Sequence, residues 1–252
     1  MKKTGLILGS IFLFLVASGQ DVKESSKVFK ISEEDLAGEN LTPGVQNGES
    51  DTSYYQQRVY DGTDFIIFLV AINNRTNEFG RFPLEEFILW ADGKAIVEPD
   101  GEEPFEIQAG DYFIQPKGFK GKFNFVSGDE PHLELSLISK KRADSALVSP
   151  MTKAMIIDPD ILSGSSEQHA GETSTIYSGV EIEVNLVRTE KRIFQGNQKE
   201  TLIHLLSGIL LIDDQRFYPG DFLVIPEDFV GEWESVGFRP FRALEVYQVD
   251  FD

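Results

Sequence analysis

From about Val59 to its end the chain alternates short apolar runs with Gly, Pro and Asp turns, and little of it carries the period of a helix. Phe65-Ile66-Ile67-Phe68-Leu69-Val70 is an unbroken apolar stretch of strand length. Further strand candidates follow at 86–90, 94–98, 105–107, 112–115, 122–126 and 133–138, with Asp92-Gly93 and Pro99-Asp100-Gly101 as turns between them. After a connector at 139–175 the rhythm returns at 180–187, 202–206, 209–212, 216–218, 222–225, 232–236 and 242–249. Many short strands with turn residues between them predict an all-β sandwich or barrel.

The pattern is also written twice. Gly110-Asp111, four residues, then Pro116-Lys117-Gly118-Phe119-Lys120-Gly121-Lys122-Phe123 recurs 110 positions later as Gly220-Asp221, four residues, Pro226-Glu227-Asp228-Phe229-Val230-Gly231-Glu232-Trp233. Gly93 and Gly208 precede the two copies, and Tyr60-Asp61-Gly62 answers Tyr177-Ser178-Gly179. A repeat of this length implies two copies of one structural unit. Gly93 to Gly110 is 17 steps and Gly208 to Gly220 is 12, so the first unit should carry a hairpin longer by five residues.

With 252 residues, 41% of them hydrophobic, the chain can bury two cores of roughly 100 residues each. The formal charge of −19 argues against nucleic acid and against an anionic membrane surface. There is no Cys, so disulfides, thiol catalysis and a lipidated cysteine are excluded. Lys2 and Lys3, the apolar residues 6–17 and Ala17-Ser18-Gly19 read as a secretory signal peptide. Cleavage after Gly19 removes two lysines and leaves a charge of −21. The expected organisation is a signal peptide at 1–19, an extended polar arm at 20–57 with at most one helical turn, a first barrel at 58–145, and a connector with a second barrel at 146–252. The product is expected outside the cytoplasm, free of the membrane, with a homodimer left open.

The repeated motif, in register with Gly93 and Gly208, resembles the cupin superfamily, and most of all the ureidoglycine aminohydrolase and ethanolamine-utilisation type cupin domains. The resemblance covers about residues 58–138 and 176–250 and implies two tandem double-stranded β-helix barrels of jelly-roll type. Metal-binding cupins place two His, then Glu, then Gly seven residues later, with a third His five residues after the Pro. Here Glu86 stands seven before Gly93, but Phe79, Gly80, Arg81 and Phe82 occupy the upstream His places and Gly121 the last one. The second unit has Thr201 at the Glu place, Phe194 to Asn197 at the His places and Gly231 at the last. A metal needs three or four converging donors, so neither a metal nor another cofactor is expected.

Strand residues two apart face one side, which groups Glu86 with Ile88 and Trp90, and puts Phe123 and Trp233 on the faces of Gly121 and Gly231. Those two rings read either as plain core or as a stacking floor for a flat ligand. Glu86 reads either as a structural hydrogen-bonding group or as an acid–base residue whose pKa burial would raise. His132, His169 and His204 show no metal spacing, and Lys140-Lys141-Arg142 reads as a solvated face. The candidate site is therefore Glu86, as a catalytic acid or base, with Arg81, Trp90, Tyr112 and Phe123 as ligand-binding neighbours. Thr201, Leu205 and Trp233 suggest that the second barrel is filled. The leading reading is an exported, metal-independent bicupin that takes a small polar molecule, a saccharide or an organic acid, in the first barrel. The alternatives are an aminohydrolase, isomerase or lyase working through Glu86, and a non-catalytic structural or interaction protein.

Overall fold

The computed structural model describes residues 27–46, 49–126, 131–151, 153–163, 173–196, 198–237 and 240–250. The segment read as a signal peptide, His169 and most of the Ser/Gly-rich connector lie outside them. The described chain opens with β1 (Phe29–Lys30) and the single turn α1 (Glu33–Leu36), capped by the Ser32 side chain. The first unit follows as β2 (Thr42–Gln46), β3 (Glu49–Asp61), β4 (Phe65–Ile72), β5 (Arg75–Phe79), β6 (Glu86–Asp92) and β7 (Lys94–Pro99). It continues through β8 (Phe105–Gln108), β9 (Tyr112–Gln115), β10 (Gly121–Val126) and β11 (His132–Ser139). The connector carries β12 (Met155–Ile156) and α2 (Pro159–Ser163). The second unit is β13 (Thr173–Ser178), β14 (Ile182–Thr189), β15 (Lys191–Gln195), β16 (Thr201–Ser207) and β17 (Leu210–Ile212). It ends with β18 (Gln215–Phe217), β19 (Phe222–Ile225), β20 (Val230–Ser235) and β21 (Phe241–Gln248).

Each unit is a jelly-roll pair of antiparallel sheets. In the first, a seven-stranded sheet ordered β12-β9-β6-β11-β4-β3-β2 faces a four-stranded sheet ordered β5-β10-β7-β8. In the second, β1-β19-β16-β21-β14-β13 faces β15-β20-β17-β18. The repeated motif is one turn made twice. Gly110 and Gly220 take φ of 93° and 97°, and the carboxylates of Asp111 and Asp221 each accept a 2.8 Å bond from the backbone N–H three residues earlier. The longer first-unit hairpin is β7–β8, as the spacing requires.

The region expected to be an extended arm at 20–57 departs from the sequence reading, because it contributes β1, β2 and most of β3. β1 adds to the edge of the second unit through β19, while β12 adds to the edge of the first through β9. The two edge strands are continued alike, with Ile31 N–H bonded to the Phe222 carbonyl and Ile157 N–H to the Tyr112 carbonyl. Each unit thus has a sheet edge covered by the segment that precedes the other, which protects it from unwanted pairing.

The apolar strand β4 divides between two environments. Phe65, Ile67 and Leu69, each 0% exposed, pack into a layer between the units, against Ile182, Val184 and Leu244. Burial of each such side chain contributes roughly 1.5–3 kcal/mol, so this layer is what joins the large sheets. The alternate residues of β4 face the inside of the first barrel.

Candidate active site in the first barrel

Ile66 and Phe68 point into the first barrel yet remain partly accessible, whereas the opposite face of the same strand is sealed. The first barrel therefore admits solvent on its β3–β4–β11–β6 side. Its other end is packed solid: Phe123 lies among Phe79, Phe113, Phe119 and Phe125 at ring separations of 5.6 to 6.1 Å. Glu86 lies where the accessible interior begins. It keeps some surface although protein atoms surround it at depth.

Three strands bring polar groups to Glu86. Its carboxyl accepts a hydrogen bond from Ser136 Oγ on β11. On β9 its register partner is Gln115, whose side chain must point to the same side, with Cβ atoms about 5 Å apart. Gln115 is buried, and its Nε2 has no hydrogen-bond partner. On β3 the Tyr54 hydroxyl donates to Gln56 Oε1 at 3.2 Å. Burial, with Glu134 and Glu86 adding to it, pushes the Tyr54 hydroxyl pKa well above its usual value. Burial pushes Glu86 up to about 8, and the Glu134 carboxylate adds to that. The Ser136 bond and the Arg142 charge pull the other way. Burial thus favours the acid form of Glu86 at neutral pH.

His132, Glu134 and Ser136 alternate along β11 and share the interior face. His132 is 0% exposed, with Nδ1 3.0 Å from the Asp92 carbonyl and Nε2 2.8 Å from Glu134 Oε2. The carbonyl can only accept, so Nδ1 carries a hydrogen. The second contact is then an imidazolium with a carboxylate, or an imidazole accepting from a carboxylic acid.

Of the residues expected at the site, the structure brings only Glu86 to the accessible interior. Tyr112 is on the opposite face of β9, because Phe113 and Gln115 take the inward positions. It packs between the units, 5.5 Å from the His204 ring. Arg81 is outside the barrel, where its guanidinium donates to the carbonyls of Ser145, Ala146 and Leu147 and anchors the connector. Phe123 is core. Trp90 shares the face of Glu86 but is 0% exposed, with the His132 ring centroid at 3.7 Å and Phe125 stacked at 6.0 Å. The sequence reading sets His132 aside for want of metal spacing and singles out none of Glu134, Ser136, Gln115 and Tyr54 as site residues. The alternation His132-Leu133-Glu134-Leu135-Ser136 was the signal available for three of them.

A metal of the kind that the resemblance raises does not fit these residues. The upstream His places hold Phe79 and Phe82, whose rings meet edge to face at 5.1 Å. A Cβ at Gly121 would lie 2.8 Å from Pro99 Cα and 3.0 Å from the Phe119 ring, and one at Gly231 would lie 2.6 Å from the Phe229 ring. Neither place has room for a ligating side chain. Among the described residues, no group of three or more His, Asp or Glu side chains is arranged to hold a metal ion.

In the second barrel Trp233 and Leu205 are 0% exposed and fill the core. Its mouth is polar. Arg192 pairs with the buried Glu245 at 2.5 Å and lies over the Trp233 ring at 5.4 Å. Glu183 accepts from the Tyr247 hydroxyl and, at 3.0 Å, from Asn185 Nδ2. Asn185 Oδ1 is left without a partner.

Comparison with known proteins adds the fold's relatives. Residues 78–128 match the EutQ-like cupin domain. No curated protein matches the chain. Among solved structures, protein Ylba from E. coli superimposes with a TM-score of 0.54 over 86% of this chain and 90% of its own, at 15% identity. A cupin 2 conserved barrel domain protein from Leptotrichia buccalis gives 0.56 over 90% and 99%, at 10% identity. A protein of unknown function from Pseudomonas syringae gives 0.53 over 87% and 98%, at 12% identity. At these identities the likeness is one of fold.

Proposed function

We propose that this chain of the cupin superfamily binds a small polar molecule inside its first barrel, using its own side chains and no metal. The observation that carries the reading is the accessible interior around Glu86. There a protonated carboxyl, Ser136 and the unpartnered Gln115 amide lie beside the apolar Ile66 and Phe68. A mostly apolar concavity with a few convergent polar groups is the usual make-up of a small-molecule site. Export supports an extracytoplasmic ligand and rests on Lys2, Lys3, the apolar residues 6–17 and Ala17-Ser18-Gly19.

A second reading, acid–base catalysis, is favoured by one observation. Glu86 as an acid and Glu134, which is hydrogen-bonded to His132, lie on either side of Ser136, so the barrel interior places a carboxyl that can donate a proton near a second carboxyl group. That arrangement suits an isomerase or lyase, in which a proton leaves one atom of the substrate and returns to another.

The test uses plugs. Ile66 and Glu183 occupy matching places, opposite Ile138 and Tyr247 respectively. Ligand-observed NMR with a panel of small sugars and carboxylates should report binding that Ile66→Trp abolishes and Glu183→Trp leaves intact. The reverse pattern would put the site in the second barrel.

A further inference from the structure

The duplication supplies an internal control for the outer surfaces of the two units. Among the described residues, the most exposed large apolar side chains are Val230 at 70% and Ile193 at 64%. Both lie on the outer face of the small sheet of the second unit, where β15 is an edge strand paired only with β20. Arg192 and Phe194 alternate with Ile193 and point inward, over Trp233 and into the core. Val230 leans toward the same edge, its Cγ2 3.0 Å from where a Cβ on Gly196 would stand. In the first unit the matching places hold Glu78 and Lys120, and Glu78 stands 3.8 Å from Lys122 with its side chain 72% exposed. A charge on an edge strand discourages pairing with another chain. The first unit has that guard, and the second has isoleucine in its place.

We infer that β15 is a dimerisation edge. It pairs antiparallel with β15 of a second copy of this chain, about a two-fold axis at Ile193, and joins the two four-stranded sheets into one. The backbone is set for this. Continuing the register of β15 with β20 places Glu190 opposite Ser235, whose N–H donates to the Glu190 carbonyl at 2.7 Å. Hydrogen-bonded pairs alternate along antiparallel strands. Arg192 and Phe194 therefore turn their backbone groups to β20, while Lys191, Ile193 and Gln195 turn theirs to the open edge. Thr189 Oγ1 meets the groups of Lys191 at 3.1 and 3.4 Å. Those of Ile193 and Gln195 have no partner among the described residues.

The order of side chains selects a second copy. A two-fold at Ile193 sets each Lys191 opposite the other copy's Gln195 and each Arg192 opposite Phe194, so no like charges meet. Lys191 keeps its own partner, Glu232, at 2.8 Å. Registers centred on Lys191 or Arg192 would oppose like charges, which destabilises a strand pair. Registers centred on Phe194 or Gln195 would pair fewer residues. In the favoured register the two Ile193 side chains touch, flanked by Val230 of each copy. One short strand buries less than the roughly 800 Å² per partner of a standard interface, so the dimer is weak and forms at about micromolar concentration or above. It is independent of the ligand in the first barrel.

The protein has no cysteine, so one introduced thiol reports one contact. Residues of a hydrogen-bonded antiparallel pair have Cα atoms about 5.5 Å apart, which a disulfide can bridge. Mild oxidation of Ile193→Cys should give a disulfide-linked dimer, while Glu78→Cys at the matching first-unit place should stay monomeric. Sedimentation velocity from micromolar to near-millimolar concentration should show a reversible monomer–dimer equilibrium. Ile193→Glu, which copies the guard of the first unit and opposes two like charges, should weaken the dimer about tenfold or more. Val230→Lys should weaken it less, and neither change should alter the thermal melt. A monomer at every concentration would overturn the inference and leave the edge to some other strand. A dimer that Ile193→Glu leaves intact would overturn it too. A dimer lost in Ile193→Glu with no disulfide from Ile193→Cys would overturn the two-fold register.

Discussion

The Glu85 carboxylate of the first unit accepts a 2.8 Å hydrogen bond from the Tyr177 hydroxyl of the second, and Glu200 of the second accepts one of 2.5 Å from Tyr60 of the first. Each carboxylate also collects backbone N–H groups from the turn it enters. Glu85 takes those of Val180, Glu181 and Ile182 at 2.7 to 2.9 Å, and Glu200 takes those of Thr63, Asp64 and Phe65 at 2.8 to 3.3 Å. A Cβ on Gly179 or Gly62 would collide with the carboxylate, which explains why the two entrance turns share Tyr-x-Gly. Glu85→Ala or Glu200→Ala should each cost about 3–5 kcal/mol, since several buried N–H groups lose a charged acceptor. Urea denaturation at pH 7 measures this, and losses under about 1 kcal/mol for both would contradict it.

These clasps also mark where the sequence stopped being informative. Gly110-Asp111 and its copy are local hydrogen-bonded turns, and local geometry leaves local marks, so the strand order and the doubling could be read directly. Glu85 carries no such mark. It looks like a surface acid beside Glu86, and it is buried only because the other unit closes over it, about 95 residues away in the chain. Tyr54 and Gln56 misled for a related reason. Their polarity suggests an arm, but they face a barrel interior that is itself partly polar. Tyr112 was misplaced by one step of alternation, which turns a strand residue to the opposite face.

Glu86 should make stability depend on pH. Its acid form is kept in the folded state up to about pH 8, whereas the unfolded chain releases the proton near 4.5. Folding stability therefore declines as pH rises from 4.5 through 8 and levels off beyond. Glu86→Gln lacks that decline, so its melting temperature should gain on the wild type by several degrees between pH 5 and pH 9. Parallel melting curves across that range would refute the assignment.

His204 works in the opposite direction. It is buried between Tyr112 and Phe222 with Nδ1 unpartnered, and burial lowers its pKa to about 4, only weakly opposed by Asp221. The folded state resists the proton that the unfolded chain takes up near 6.5, so stability is full above 6.5 and is lost as pH falls toward 4. Leu89 occupies the matching place in the first unit, opposite Tyr112. His204→Leu should flatten the acid limb of stability measured by denaturant midpoints, and an unchanged limb would assign the loss to other groups.

Restoring a histidine at the position that cupins use for metal should not create a metal site here. Gly121 has φ of 147°, and its missing side chain is replaced by Pro99 and the Phe119 ring. Gly121→His should destabilise the protein by more than 2 kcal/mol, through overpacking and backbone strain together. Calorimetry should find no tight binding of Mn²⁺ or Zn²⁺.

The account rests most heavily on one carboxyl group. In protein labelled with glutamate ¹³C at the side-chain carboxyl, the Glu86 resonance is the one missing from Glu86→Gln. Its titration should have a midpoint near pH 8. A midpoint in the ordinary glutamate range of about 4 to 5 would contradict both the sunken acid and the site built around it.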